Sequence, residues 1–550
     1  VACSSRLDEA QESQRTCLDP KKAFELMPKI RVHERALAHL SRGLYRSPAS
    51  ALRELVSNAW DANATKVSID TNYPNFFQLA VEDNGDGFTR DDFESLMKGG
   101  IGNSEKRVSE KALRFGRPTI GRLGIGMLGI AQICGAFVVS SSPIKGKPFR
   151  ARVQLYDLAK AEMDKPNSDL IHDATTEIGS ETIPAKIVEV GTYEFQDVES
   201  GRPSRGTRII ADDVTPTFTQ AFQESLTLEA FKPVPMEWRP AVTRVLSKTS
   251  SLQLLGDYWR LLWELSAACP IPYLADDALP RGVVRMRNEL LESFKFNVFV
   301  DSRQLFKPVY LKGNQGGYTT NVIERTTKKV YGRTLTFSGY IVIQEGKQIM
   351  PDELRGIMVR IKNVGVGYYD PSMLDYRNNE GPRSRWVTGE IFVEEGLEDA
   401  LNIDRDSFNR FHPEFRALQS HVHTVLQKEV FPDVYKNIEI RSTQRRAEKS
   451  AKRDKALRAA VRSSEQKPVK LTRRSVEESQ DSRSTYSSAQ RHRDSVEISV
   501  PRAEDIPTSK TNQQLAQSIL TIFELSLLER ERDAQRRKFT ELLLELLKHW

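Results

Sequence analysis

The chain is predicted to be α+β and to contain more than one domain. Three observations carry that prediction. At 550 residues it exceeds the length over which a single hydrophobic core keeps growing. Residues 31 to about 215 mix helical apolar spacing with the period-two alternation of strands such as "TKVSID" and "FQLAVED". After a helical stretch, 216 to about 293, strand-like runs return ("FNVFVD", "LTFSGYIVI", "IMVRIKNVGVGYY", "GEIFVEE"), so a second α/β unit is expected over 294–440.

Taken in order, residues 1–30 read as a polar leader with no apolar core of a signal peptide. The helical connector 216–293 rests on "AFQESLTLEAF" and "YWRLLWELSAAC", and another helical segment is expected over 405–440. Residues 441–510 are rich in Ser, Arg, Lys and Glu and almost without aromatics, a composition that predicts a disordered basic linker. The last 40 residues turn apolar again. Leu515, Ile519, Ile522 and Phe523 form one stripe, and Phe539, Leu542, Leu543, Leu546 and Leu547 form another, so a C-terminal helix or coiled coil pairing two copies is expected, with docking onto its own body as the alternative.

Charge is unevenly spread. Residues 441–500 hold 16 Lys and Arg against 8 Asp and Glu, an excess of +8, whereas the whole chain carries +7, which leaves the remaining 490 residues at −1. The body is therefore not a basic protein, and contact with nucleic acid, if any, is expected through 441–500. Cys3, Cys17, Cys134 and Cys269 show neither C-x-x-C spacing nor a dense framework, which argues against a zinc site and a disulfide scaffold and fits a reducing, cytoplasmic setting. The run "LGIGMLGIAQICGAFVV", 123–139, holds 17 residues with Gln132 inside, short of the roughly 20 that a spanning helix needs, so no membrane partner is expected.

Three segments carry chemistry. In "SPASALRELVSNAWDANA" a helix turns Leu52, Leu55, Val56 and Ala59 toward a core and sets Glu54, Asn58 and Asp61 along an adjoining face. Such a triplet alone also suits a solvated helix face. Next, "LAVEDNGDGFTRDDF" ends a strand at Glu82 and enters Asp83-Asn84-Gly85-Asp86-Gly87, where two glycines allow a sharp turn and close approach to a ligand, as an ordinary β-turn would too. Then "MKGGIGNSEKR" leads into "IGRLGIGMLGIAQICG", where Gly121, Gly124 and Gly126 precede an apolar helix and offer bare N–H groups and a positive helix end to phosphates. Close helix packing through glycine is the competing explanation. The strand context of a Rossmann fingerprint and the G-K-[ST] of a P-loop are both absent.

In this order the segments resemble the GHKL ATPase superfamily, which includes the ninety-kilodalton heat-shock chaperones, MutL, gyrase B, MORC proteins and histidine kinases. The resemblance covers about 31–215 and implies a Bergerat-fold ATP-binding domain, helices over a mixed, largely antiparallel sheet, with ATP and Mg²⁺ as cofactors and slow hydrolysis of ATP to ADP and phosphate. It implies Glu54 as general base, Asn58 as the protein ligand of Mg²⁺, and Asp61 as pocket wall. Asp83 would accept from the adenine amino group with Gly85 and Gly87 giving room, and Thr207, in "RGTRII", would reach the same base edge through water; an ordinary strand threonine is nearly as good a reading. Ser104 and Lys106 would belong to the lid, and Gly121, Gly124, Gly126 and Met127 to the phosphate loop.

The heat-shock type looks nearest, through "RELVSNAWDA", "IGRLGIGM" and the distant "GLEDALNIDRDSF". In the last of these Arg405 matches the position of a catalytic arginine reaching the γ-phosphate from the second domain; a helix-end ion pair is the bland alternative. Lys362, in "VRIKNVG", is similar in position to the phosphate-sensing lysine of MutL-type enzymes. The lid departs from the chaperone pattern, carrying Gly102 at the lysine position, and its Ser104-x-Lys106 is closer to MutL and MORC types. A histidine kinase is disfavoured, because no phosphoacceptor-type helix precedes the nucleotide domain. Two partner classes follow: a protein client clamped by a homodimer that ATP closes, or nucleic acid held by a MORC- or MutL-like clamp, in a defence or stress system.

Overall fold

The computed structural model describes residues 28–33, 48–101, 113–121, 130, 133–156, 171–178, 181–198, 203–211, 214–226, 237–242, 251–274, 283–308, 317–345, 348–377, 380–402, 406–465, 469–474 and 488–501. Two compact units divide the chain, 1–431 and 432–550. Residues 1–27 of the expected leader, the lid residues Ser104 and Lys106, the loop residues Gly124, Gly126 and Met127, Arg405, and the two C-terminal stripes lie outside the described residues, whereas Lys29 and Ile30, counted with the leader, already belong to the first strand.

The first unit begins with β1 (Lys29–His33), α1 (Pro48–Asp61) and the strands β2 (Lys66–Asp70) and β3 (Leu79–Asp83), followed by α2 (Arg90–Met97) and β4 (Lys98–Ile101). Then come β5 (Ala136–Ser142), β6 (Phe149–Leu155), β7 (Ile171–Ile178), β8 (Glu181–Gln196) and β9 (Gly206–Ala211). Helices α3 (Pro216–Ser225), α4 (Gly256–Ala268) and α5 (Val283–Ser293) precede the short strands β10 (Asn297–Val300) and β11 (Arg303–Gln304). These strands make one sheet in the order β11-β10-β2-β3-β9-β5-β6-β8-β1-β4, with β7 also on β8. All neighbours are antiparallel except β10 with β2 and β1 with β4. This is the mixed α+β architecture expected from the sequence.

One expected boundary falls elsewhere. "FNVFVD" was grouped with the second α/β unit, but β10 pairs in parallel with β2, Val298 against Val67 and Phe299 against Ser68, and so extends the first sheet. Its alternating burial announces a half-buried strand without saying which sheet edge it joins. The connector helices likewise pack into the first core: Trp60 of α1 meets Phe294 and Phe296 edge-to-face at 5.2 and 5.1 Å, and Tyr258 of α4 lies 5.4 Å from Phe76.

The second sheet follows the order β12-β13-β16-β14-β15, built from β12 (Tyr318–Val330), β13 (Arg333–Gln344), β14 (Gly356–Ile361), β15 (Val364–Asp370) and β16 (Val387–Glu395). β14 and β15 are joined by Lys362 and Asn363, both at positive φ (48° and 71°), the two-residue hairpin geometry whose twist matches the strands. Its buried heart is polar. Arg360 and Glu390, on neighbouring strands and both inaccessible, share an ion pair, and the hydroxyls of Tyr273 and Tyr369 donate to the same carboxylate. Helix α6 (Pro413–Val425) packs beyond this sheet, continuing through a π-helical turn, Leu426–Val430.

Over the expected linker, 441–510, the described residues take secondary structure, while 466–468, 475–487 and 502–510 lie outside the described residues. Helix α7 (Phe431–Glu465) runs 35 residues, and β17 (Val469–Arg474), β18 (Ser488–Arg491) and β19 (Val496–Pro501) form a three-stranded sheet ordered β17-β19-β18. The composition argument counted buriable area and neglected two local signals. Once a helix is nucleated at its apolar start, Ala, Arg, Lys, Glu and Gln extend it at little cost. In the sheet, apolar residues alternate on both parallel strands, Val469 opposite Val496 and Leu471 opposite Ile498. Among the described residues no helix is long and apolar enough to cross a membrane, and the tail of the 123–139 run opens β5.

Candidate functional site

Helix α1 is the spine of the site. Its apolar face is buried as its spacing requires: Leu52, Leu55, Val56 and Ala59 are all in the core. Asn63 ends it in the left-handed region (φ 59°), with Asn63 N–H donating to Trp60 O at 3.0 Å and Ala64 N–H to Ala59 O at 3.0 Å, the paired closure of a Schellman cap. Glu54 is buried at the N-terminal end of the polar triplet, while Asn58 and Asp61 are half-buried.

Asp61 proves to be more than a wall. Its two carboxylate oxygens accept the N–H groups of Ile120, at 2.8 Å, and Gly121, at 2.6 Å. The helix thus grips the start of the glycine loop. The Gly121 N–H, expected to face a phosphate, is engaged by Asp61.

The 83–87 turn docks against the end of the same helix. Asp86 N–H donates to Ala62 O at 2.6 Å, Asn63 Nδ2 to Asp86 Oδ2 at 2.6 Å, and Asn84 Oδ1 accepts the N–H groups of Thr65 and Lys66 at 2.8 and 2.9 Å. Gly85 is required by this packing: a Cβ there would lie 2.6 Å from Ala62 O. At Gly87 (φ 63°) a Cβ would lie 2.9 Å from Ser142 O, so the room that glycine provides is taken up by the end of β5. Arg205 Nη2 closes the turn from the other side with an ion pair to Asp86 at 2.7 Å, and its Nε donates to Gly85 O at 3.1 Å.

Asp83 and Thr207 are neighbours. The Asp83 carboxylate accepts backbone N–H groups from Gly85, at 2.8 Å, and from Thr207. Burial pushes the Asp83 carboxyl up to about 6, against the pull of those two donors. Gly206 (φ 98°) makes the approach possible, since any Cβ there would collide with the Asp83 carbonyl oxygen. Gly206→Ala is therefore expected to cost about 1–3 kcal/mol of stability from the forbidden backbone region alone, read as a lowered melting temperature; an unchanged melt would show that β3 and β9 can part without loss.

Lys362 is brought to Glu398, 3.0 Å away, at the tip of the β14–β15 hairpin. Arg405 lies outside the described residues, but Asp406 beside it is buried and bonded to α1: Arg53 Nη1 donates to Asp406 Oδ1 at 2.6 Å, and Ser50 Oγ to Oδ2 at 2.9 Å. Arg53, Ser50, Asp406, Asp86 and Arg205 escaped the sequence reading. All five lie within the stretches that carry the motifs, but no periodicity or spacing marks them as partners of one another.

As chemistry, the α1 face supplies a carboxylate and an amide oxygen one turn apart. Such oxygen donors suit Mg²⁺, which keeps most of its waters and phosphate ligands and asks one or two atoms of the protein.

Residues 45–183 match the family model described as histidine kinase-, DNA gyrase B- and HSP90-like ATPase. This supports the superfamily reading for that segment without choosing the heat-shock branch. A shorter likeness joins the chain to the DNA mismatch repair protein MutL of Opitutus terrae, 37% identical over 68 residues, 12% of this chain and 11% of that relative's length.

Proposed function

We propose that the chain is a Mg²⁺-dependent ATP-binding switch that hydrolyses ATP slowly and changes conformation as it does so. The observation that carries this reading is the convergence on α1 of Glu54, Asn58 and Asp61, with Asp61 holding the glycine loop and the α1 end holding the turn that carries Asp83. In the mechanism, Asp83 and the Thr207 edge receive adenine, and Asn58 presents its amide oxygen to the Mg²⁺ that accompanies the phosphates. Bound Mg²⁺ supplies charge neutralisation at the phosphates. Glu54 orients a water and takes its proton, and the buried setting excludes competing solvent. Arg405 keeps the γ-phosphate role that the resemblance gives it, and Lys362 would have to leave Glu398 to sense phosphate.

For the cargo, a protein client clamped by a homodimer is the reading nearest the motifs. The nucleic-acid clamp is favoured by two particular observations, the MutL likeness and the exposed cations Arg445, Arg446, Lys449 and Lys452 on α7. Nucleic-acid binding would steepen the log-log salt dependence by about 0.9 for each neutralised phosphate, a law a protein client does not follow.

Adenine recognition is tested by pH. The Asp83 carboxyl, raised to about 6, must be ionised to accept from the adenine amino group. ATP affinity is expected to weaken about tenfold for each pH unit below that value. The stability of the nucleotide-free protein runs the other way. Because the folded value lies above the ordinary 3.8, this group's contribution is fully present below 3.8 and is lost as pH rises through about 6. Asp83→Asn should lose affinity and flatten the binding profile; a variant that binds ATP as the parent does, with the same pH dependence, would remove Asp83 from the base pocket.

A further inference from the structure

The antiparallel ladder between β3 and β9 stops one residue short of the pair assigned to the base. Its register runs from Leu79 opposite Ala211 to Glu82 opposite Arg208, so Asp83 and Thr207 stand just past its last pair. Strand ends beyond their ladder open at little cost. The Asp83 carboxylate, accepting the Thr207 N–H, is one tie across the opening.

Arg205 is a second tie, made from outside the pair. Two residues ahead of Thr207, it sends Nε to Gly85 O at 3.1 Å and Nη2 to Asp86 Oδ1 at 2.7 Å. Both acceptors belong to the turn that carries Asp83, so one planar guanidinium bridges that turn to the start of β9 in a fixed geometry. The turn end of the bridge is well anchored. Asn63 Nδ2 donates to Asp86 Oδ2 at 2.6 Å, Asp86 N–H to Ala62 O at 2.6 Å, and Ile144 N–H to Asp86 O at 3.1 Å. Gly206 passes so close to Asp83 that a Cβ would collide with its carbonyl oxygen, and any shift at the start of β9 is therefore felt at Asp83. Charge is not what Arg205 adds. Both it and Asp86 are half-exposed, where a lone ion pair contributes little, and Arg114 Nη2 also reaches Asp86 Oδ1, at 3.3 Å. What Arg205 adds is the span from Gly85 and Asp86 to β9.

We propose that Arg205 is a positioning residue that sets base specificity: by bridging the 83–87 turn to the start of β9 it holds Asp83 and Thr207 at the spacing an adenine edge fits. The proposal rests on the reading of Asp83 as the adenine acceptor. Arg205 acts through those two residues.

The probes are ATP and inosine triphosphate, whose base carries a carbonyl where adenine carries its amino group. An ionised Asp83 accepts from the first and repels the second, so the parent is expected to favour ATP by about 100-fold or more in equilibrium binding. Arg205→Lys keeps the charge but cannot hold both acceptors from one plane. It is expected to weaken ATP about tenfold with inosine triphosphate within about twofold, so the preference falls at least about fivefold, while kcat at saturating ATP stays within about twofold. A merely structural loss weakens both nucleotides alike. That result, or a parental preference, overturns the proposal. Should Arg205→Lys fail to fold, Arg205→Gln decides by the same ratio, and loss of the fold in both overturns the proposal, because the bridge would then serve stability alone. Asp83→Asn measured beside them separates the premise: its preference for ATP is expected to vanish, and a preference kept there would mean that the base is read elsewhere.

Discussion

Glu54→Ala is expected to bind ATP within about twofold of the parent and to hydrolyse it about 10² to 10⁴ times more slowly, the range a positioned general base contributes. The direction follows from where the residue sits. Glu54 occupies the buried turn of α1 between Ser50 and Asn58, on the polar face, whereas Asp83 and Thr207, proposed to receive adenine, lie beside the 83–87 turn, which docks on the other end of the helix. Removing the carboxylate leaves the helix cap, the Asp61 grip on Ile120 and Gly121, and the Asp86 network untouched. Binding and chemistry should therefore separate. Equilibrium binding of ATP together with steady-state turnover in Mg²⁺ checks both halves. If the variant turned over at the parental rate the base would be another group, and if it lost binding instead, Glu54 would belong to the walls of the pocket.

Arg360→Met is expected to destabilise the first unit by about 3–5 kcal/mol, the penalty for stranding a buried charge. Glu390 is wholly inaccessible, and burial alone would raise its pKa, but the Arg360 guanidinium, with the Tyr273 hydroxyl, brings it below the ordinary carboxylate range. One further cation lies near the pair without replacing Arg360. Lys307 is fully buried and held well below its ordinary pKa by that burial, and its Nζ reaches Asn363 O at 3.4 Å. Arg360 Nη1 also donates to Ala267 O at 2.6 Å, tying β14 to the end of α4. Because the folded pKa of Glu390 is depressed, its contribution is present above the ordinary value of 4.5 and lost as pH falls through the folded one. Acid should thus destabilise the parent through this group. Replacing both partners by apolar residues of similar volume should cost far less than the single change. Denaturant melts of the parent, the single and the double variant check this, and equal losses in single and double variants would show that packing, not charge, dominates the site.

Much of the fold was legible because it is written at short range. The apolar spacing of 48–61, the alternation of 65–70 and 77–83 and the Asn-Gly-Asp-Gly turn are local patterns whose periods report local geometry. "IMVRIKNVGVGYY" reads as one strand-like run, and the structure divides it into β14 and β15 at Lys362 and Asn363, both at positive φ. Misreadings arose where a local rule was applied to the wrong quantity. Few aromatics over 441–510 meant little buried area, yet a helix begun at Phe431 extends by propensity, and "VEISV" alternates clearly enough to form β19.

The sequence by itself determined the chemical inventory of the site: a carboxylate, an amide and a second carboxylate at steps of four and three along one helix, with an acidic glycine turn some 20 residues on. Tertiary structure alone decided what each group touches. Asp61 turned from a wall into the anchor of Ile120 and Gly121, Gly85 and Gly87 proved to be demanded by neighbouring backbone, β10 joined the first sheet, and Asp406 reached back to Arg53. The physical reason is range. Helix and strand periods arise from contacts a few residues apart, whereas a buried carboxylate needs compensation by whichever donors the fold brings within about 3 Å. Those donors lie 59 and 60 residues away for Asp61 and 353 for Asp406, separations over which no periodicity survives.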